Sequence, residues 1–148
     1  MSGPEKGELA SAAGAELVVN YREQDVVQAV RSWAPDGVHR IAEVDLAGNL
    51  ATDAAVVAPG GVIAGYVETG EPVLPTGALM AKNAIVRLVL VYTTPAEAQQ
   101  AAVAEITRAL EAGALQPLPV HRFAIDDIAA AHDAVREGAV GKVLVDIP

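Results

Sequence analysis

The stretch NLATDAAVVAPGGVIAGYV, Asn49 to Val67, sets the reading of this chain. Asn49 is an N-cap residue type, and Leu50 to Val57 carries alanine and apolar side chains at helical spacing. Pro59-Gly60-Gly61 ends the helix, and the β-branched run Val62 to Val67 predicts a strand. A helix of this length between strands is the connection a parallel sheet requires. Upstream, Val38 to Asp45 predicts another strand after the turn Pro35-Asp36-Gly37. Downstream, a loop over Glu68 to Pro75 leads to a short helix near Thr76 to Lys82, and Ala84 to Tyr92 predicts the strongest strand of the chain.

The same alternation extends to both ends. Ser2-Gly3-Pro4-Glu5 reads as a capping box for a helix running to Ala13, with Gly14 past its end. Glu16 to Tyr21 predicts a short strand. Asp25 caps a helix to Trp33 that aligns Val26, Val27, Val30 and Trp33 on one face. Thr94-Pro95-Ala96-Glu97 reads as a second capping box, opening the longest helix, which ends at Gly113. Pro119 to Ala124 is extended, Asp126 caps a helix through Arg136, and Lys142 to Ile147 closes the chain as a strand. Helix and strand in turn predict an α/β chain with a doubly wound, mainly parallel sheet flanked by helices, in one domain over residues 1–148.

Composition narrows the function classes. With 52% hydrophobic and 3% aromatic residues, the core must be built from Ala, Val, Leu and Ile. There is no cysteine, which removes disulfides and thiolate metal ligands. A net charge of -9 with scattered basic residues argues against a nucleic-acid partner. No apolar run reaches membrane-spanning length, and Met1 to Glu8 has no apolar segment of a signal peptide. The expected setting is cytoplasmic. His39, His121 and His132 match no metal-ligand spacing, and no metal site is expected. No Gly-x-Gly-x-x-Gly phosphate loop occurs in the 148 residues, because Gly60-Gly61 leads into a strand and not a helix.

Ser2-Gly3-Pro4-Glu5-Lys6, Gly14-Ala15, Val19-Asn20-Tyr21-Arg22-Glu23, Gly37-Val38-His39-Arg40-Ile41, Ala58-Pro59-Gly60-Gly61, Leu110-Glu111-Ala112-Gly113 and Gly141-Lys142-Val143-Leu144 stand in one order. In that order they resemble the cofactor half of zinc-free medium-chain dehydrogenase/reductases, quinone oxidoreductases above all. The resemblance covers essentially the whole chain. It implies an incomplete Rossmann-like fold, in which a GroES-like barrel and the first β-α-β with its glycine loop would precede residue 1. It also implies NADPH as cofactor, hydride transfer to a quinone or enone as activity, and a homodimer joined through the strand Ala84 to Tyr92. On this reading the isolated chain is expected to be inactive by itself. The alternatives are a catalytically silent oligomerising fragment and a nucleotide-binding module of another kind.

The same resemblance selects candidate residues. Lys6 and Tyr21, with Ser2 at a helix N-terminus, are expected to converge on the adenosine 2′-phosphate. Arg136 is a further possible contact. The alternative is a plain cap, a solvated lysine and a strand-end tyrosine. Asp45, at the carboxyl end of a strand beside Glu43, is expected to face a ribose hydroxyl or a backbone amide. Gly65, Tyr66 and Tyr92 end two strands, where they would frame the nicotinamide and a flat substrate. Each is equally explained as loop packing. No residue is assigned to proton transfer, since hydride transfer between two positioned rings asks the protein chiefly for orientation. One difficulty follows from the absent strands. They would lie in the middle of the sheet, leaving the predicted strand at Leu17 to Tyr21 without neighbours.

Overall fold

A computed structural model describes residues 3–115 and 117–148. The chain forms two compact units, Val19–Glu105 and the combination of Met1–Val18 with Ile106–Pro148. Each is described by itself.

The Val19–Glu105 unit is a three-stranded parallel sheet with helices packed on it. Its elements are α2 (Val26–Trp33), β1 (Val38–Glu43), α3 (Leu46–Val56), β2 (Val57–Gly65), α4 (Thr76–Ala81) and β3 (Ile85–Leu88). The strand order is β1-β2-β3, with Glu43 opposite Gly65 and Gly65 opposite Leu88. Leu46, Leu50 and Ala54 of α3 repeat at helical spacing and face Val57 and Ile63 of β2, with Leu79 of α4 closing the cluster. Ile41, Ala84 and Val86 pack against it.

Asp25 caps α2 as its sequence predicts, accepting from Gln28 N–H at 2.9 Å. The Pro59-Gly60-Gly61 segment is more than a turn. It lies inside β2 as an irregularity, with Val38 opposite Val57 but Arg40 opposite Val62. Two glycines make the close approach there possible. A Cβ on Gly37 (φ 88°) would lie 2.6 Å from Val56 O, and one on Gly61 2.6 Å from Val57 Cγ2.

The other unit holds α1 (Pro4–Ala12), β4 (Val120–Ala124), α6 (Ile128–Arg136) and β5 (Lys142–Asp146), together with the carboxyl end of α5 (Ala96–Glu111). β4 and β5 form a two-stranded parallel ladder, Val120 opposite Lys142 through Ala124 opposite Asp146. α6 packs on both strands.

Several expectations need correction. Glu16 to Tyr21 is no strand: residues 17–20 carry no regular secondary structure, and Tyr21 opens a turn. The strand pairs that would hold it are not formed in this chain. The strand expected over Ala84 to Tyr92 shortens to β3, and Val91–Thr93 winds into a 3₁₀ turn. Its β-branched run has a partner only where β2 lies alongside. α3 begins at Leu46 and is capped by Asp45, not Asn49, because the Asp45 carboxylate reaches Gly48 N–H first, at 3.2 Å. Thr94 gives its hydroxyl to Val91 O at 2.7 Å, and the Gln99 amide bonds the Thr94 carbonyl and hydroxyl oxygens. At the other caps, α1 starts after Gly3 without a side-chain cap, Ser2 lies outside the described residues, and a 3₁₀ turn over Ile125–Asp127 leads into α6.

Candidate functional site

Parallel strands place all their carboxyl ends on one side, and ligands of open α/β sheets bind there. In the Val19–Glu105 unit that edge carries Glu43, Asp45, Gly65, Tyr66 and the segment leading to Tyr92. Backbone bonds tie the strand ends together: Tyr66 N–H donates to Glu43 O at 3.3 Å, and Val89 N–H to Gly65 O at 2.9 Å.

Gly65 is buried, and a Cβ there would meet Leu46 Cδ2 at 3.3 Å and Leu88 Cδ2 at 3.5 Å. A side chain there would need Leu46 to give by a few tenths of an ångström. Tyr66 is 53% exposed and Tyr92 88% exposed, so both rings stand free at the edge. The loop after β2 folds back on α3, where Thr69 Oγ1 accepts from Ala47 N–H at 3.4 Å. Asp45 takes the backbone-amide option: Oδ1 accepts from Gly48 N–H while the residue remains exposed.

Tyr21 is 58% exposed on a turn held by Asn20, whose side chain accepts from Arg22 N–H at 3.2 Å and whose carbonyl accepts from Glu23 and Gln24. Lys6 belongs to the other unit. It is half-buried on the first turn of α1, at an open cavity of about 350 Å³ lined by Leu9, Ala10, Ala13, Leu118 and Val140. Arg136 is exposed and ion-paired with Asp133 at 2.8 Å.

Two groups of residues were not singled out by the sequence. Glu43 and Asp53 are both buried, at 7% and 5% exposure. Glu43 Oε1 accepts from Asp45 N–H at 2.5 Å and from Asn49 Nδ2 at 3.1 Å. Asp53 Oδ2 has no hydrogen-bond partner among the described residues. Burial first, then the charge and hydrogen bonding of Glu43, push the Asp53 carboxyl up to about 7. The signal was in the sequence: Asp53 falls on the apolar stripe of Leu46, Leu50 and Ala54, where a carboxylate needs a partner. The second group closes the far end of α3. Arg31 donates to Ala55 O from Nε and Nη2 (3.1 and 2.6 Å), and Lys82 Nζ to Ala54 O and Ala55 O (2.7 and 2.9 Å). Cations on the last carbonyls oppose the negative end of the helix dipole. Desolvation, and then Arg31, hold the Lys82 ammonium below its usual value.

No group of three His, Cys, Asp or Glu among the described residues is placed to hold a metal ion. His121 Nε2 lies 2.9 Å from Val140 O, on a different strand from His39. No described helix is long and apolar enough to cross a membrane.

The comparisons with known proteins agree with this architecture. Residues 13–145 match the family model described as zinc-binding dehydrogenase. The human quinone oxidoreductase is 27% identical over 150 residues, with 97% of this chain and 45% of that protein covered. The Pseudomonas syringae quinone oxidoreductase structure superposes with a TM-score of 0.78 at 23% identity, over 100% of this chain and 47% of that one. The benzyl alcohol dehydrogenase of Acinetobacter calcoaceticus gives 0.82 at 22%, over 97% and 40%. The chain therefore spans about half the length of the curated relatives it matches. Zinc, which the family's name implies, does not fit the described residues, which offer no cysteine and no convergent histidines. With nine-tenths of its length matched and its parallel α/β units superposing on such enzymes, this chain belongs to the zinc-binding dehydrogenase family, within the medium-chain dehydrogenase/reductases.

Proposed function

We propose that the chain is part of the cofactor domain of a cytoplasmic, NADPH-dependent quinone or enone reductase. The observation that carries this reading is the carboxyl edge of the β1-β2-β3 sheet. There Gly65 ends β2, exposed Tyr66 follows it, and exposed Tyr92 lies in the 3₁₀ turn beyond the neighbouring parallel strand β3, in a chain of a dehydrogenase family. In this reading the 148 residues are a partial nucleotide-binding domain, and the phosphate loop is supplied by a longer protein. The coverage of under half of each matched relative supports it.

When bound, the dihydronicotinamide supplies a hydride. The chain's own part is placement. The tyrosine faces offer stacking and a hydroxyl donor. Asp45 keeps one oxygen on the Gly48 amide and turns the other toward a ribose hydroxyl. Lys6 is the ammonium proposed for the 2′-phosphate. Homodimerisation through the Ala84 to Tyr92 segment belongs to the same proposal. It is supported by the edge position of β3 and by exposed Leu88, Leu90 and Val91.

Calorimetric titration of the chain with NADPH and NADH, beside Lys6→Ala, tests the proposal. NADPH is expected to bind more tightly than NADH, and the variant to lose about tenfold in NADPH affinity alone, the weight of one charge-assisted contact. Equal affinity for the two nucleotides would remove the 2′-phosphate reading. No binding of either would show that these residues hold no nucleotide by themselves.

A further inference from the structure

The Glu43–Asp53 pair has no part in the placement of cofactor or substrate, yet it sits beneath the edge where both would lie. Glu43 is the last residue of β1, and Asp53 lies two turns into α3. Two donors already converge on Glu43 Oε1, the Asp45 N–H and the Asn49 amide. Asp53 has no such donors, and its Oδ2 is buried without a partner.

The charged groups around the pair do not relieve it. On α2, Arg31 donates to Ala55 O and Pro35 O. After α4, Lys82 donates to Ala54 O and Ala55 O. Neither cation is placed on the Asp53 carboxyl. On β1, His39 and Arg40 are exposed, and Arg40 bonds the His39 carbonyl oxygen. β2 and α4 carry no ionisable side chain, and on the neighbouring strand β3 Arg87 is exposed. On the α3 side, Asp45 is occupied by the Gly48 amide. Asp53 stands one turn after Asn49 on α3, and Asn49 already reaches Glu43, so the two buried carboxyl groups share one site; with no cation on either among the described residues, a single shared proton satisfies them.

We propose that Glu43 and Asp53 hold one proton between them and form a pH-operated clasp that fastens α3 to the carboxyl end of β1. Asp53 donates to Glu43, and Glu43 in turn orders Asp45 and Asn49 in the first turn of α3. Loss of the proton places two negative charges in the buried site and loosens that turn. The direction of the effect follows from linkage. The folded-state value, about 7, lies above the ordinary 3.8, so the folded chain binds the proton more tightly than the unfolded one. The stabilisation is complete below the ordinary value, declines as pH rises, and is gone above about 7. The clasp does not depend on the reductase reading, and neither does its test.

The test is thermal and urea unfolding of the chain from pH 5 to 8.5, with Asp53→Asn alongside, and a carbon-13 NMR titration of the Asp53 carboxyl in the unaltered chain. Asparagine keeps a donor for Glu43 but cannot ionise. Between pH 5 and 7 the unfolding constant of the parent chain is expected to rise by up to about tenfold per pH unit relative to the variant. The contribution of His39, His121 and His132 cancels in that difference. The Asp53 resonance is expected to titrate near neutrality. Parallel loss of stability in the two chains, or titration of Asp53 in the ordinary carboxylate range, overturns the clasp. If Asp53→Asn does not fold, the NMR titration decides alone.

Discussion

The two compact units are built from the same motif, parallel strands covered by helices, but they are closed to very different degrees. In Val19–Glu105, α3 buries one face along its length and more than half of β2 is buried, with Leu50, Val57 and Ile63 at 2% exposure or less. In the other unit, α1 has no buried residue, α6 buries Ala131, β5 alternates between exposed and half-buried positions, and β4 is exposed except at half-buried Phe123. Apolar area removed from water is the main stabilising term in folding. The first unit therefore carries a core of its own, whereas the second relies on its strand ladder and on a few pairings at its surface. The candidate strand-edge residues Asp45, Gly65, Tyr66 and Tyr92 all stand on the better-packed unit.

The sharpest way to break this contrast is to truncate one leucine in each unit. Leu50→Ala removes a side chain at 2% exposure amid Leu46, Val57 and Ile63, and is expected to cost about 2–5 kcal/mol by urea denaturation. Leu144→Ala, at 42% exposure on β5, is expected to cost far less, about 1 kcal/mol or below. Native-state hydrogen exchange should agree, with β1 and β2 amides opening only globally and β4 and β5 amides opening locally. Equal losses from the two truncations would show that the burial contrast does not translate into stability.

What the sequence made legible follows the same division. The helix-strand alternation from Val38 to Ala84 was readable because local pattern and tertiary burial agree there, as at Leu46, Leu50, Ala54 and Ile63. The strand expected at Glu16 to Tyr21 was not formed, since apolar alternation makes a strand only when a neighbour completes its ladder. Asn49 and Asp45 were both plausible caps, and propensity does not choose between them. The choice came from Glu43, which takes both the Asp45 N–H and the Asn49 amide and so commits Asn49 to β1. The candidate residues divide likewise. Asp45, Gly65 and Tyr66 were chosen for their place at or just after strand ends, and they stand there, whereas Tyr92 lies in a 3₁₀ turn beyond the shortened β3. The Glu43–Asp53 pair was missed because ten residues separate its members and only the fold of α3 against β1 unites them.

A smaller effect sharpens the comparison at a single helix end. Asp25 caps α2, whose Val26, Val27 and Val30 are only half-buried. Asp25→Ala leaves Gln28 N–H without that acceptor and is expected to cost about 1 kcal/mol. Asp25→Ser should restore most of it, since a hydroxyl oxygen fills the same role. A cost near zero for the alanine variant would mean that packing on α3, and not the cap, holds the start of α2.

The smallest effect belongs to the other unit's most conspicuous pairing. Arg122 on β4 and Asp146 at the end of β5 form a two-pronged ion pair across the ladder, and its hydrogen bond, then its charge, raise the guanidinium above its usual value. Both side chains are more than half exposed, at 62% and 52%. Water and salt screen such a pair, and fixing two flexible side chains offsets the attraction. Arg122→Ala should therefore shift the unfolding midpoint less than Asp25→Ala, and any shift should shrink on raising the salt from 0.05 to about 0.5 M, where the screening length falls well below that at physiological ionic strength. A salt-independent loss as large as that of Leu50→Ala would mean the opposite. The unit's stability would then hang on the geometry of this pairing, through the register of β4 on β5, and the contrast between a packed unit and a surface-held one would have to be drawn from strand register instead of burial.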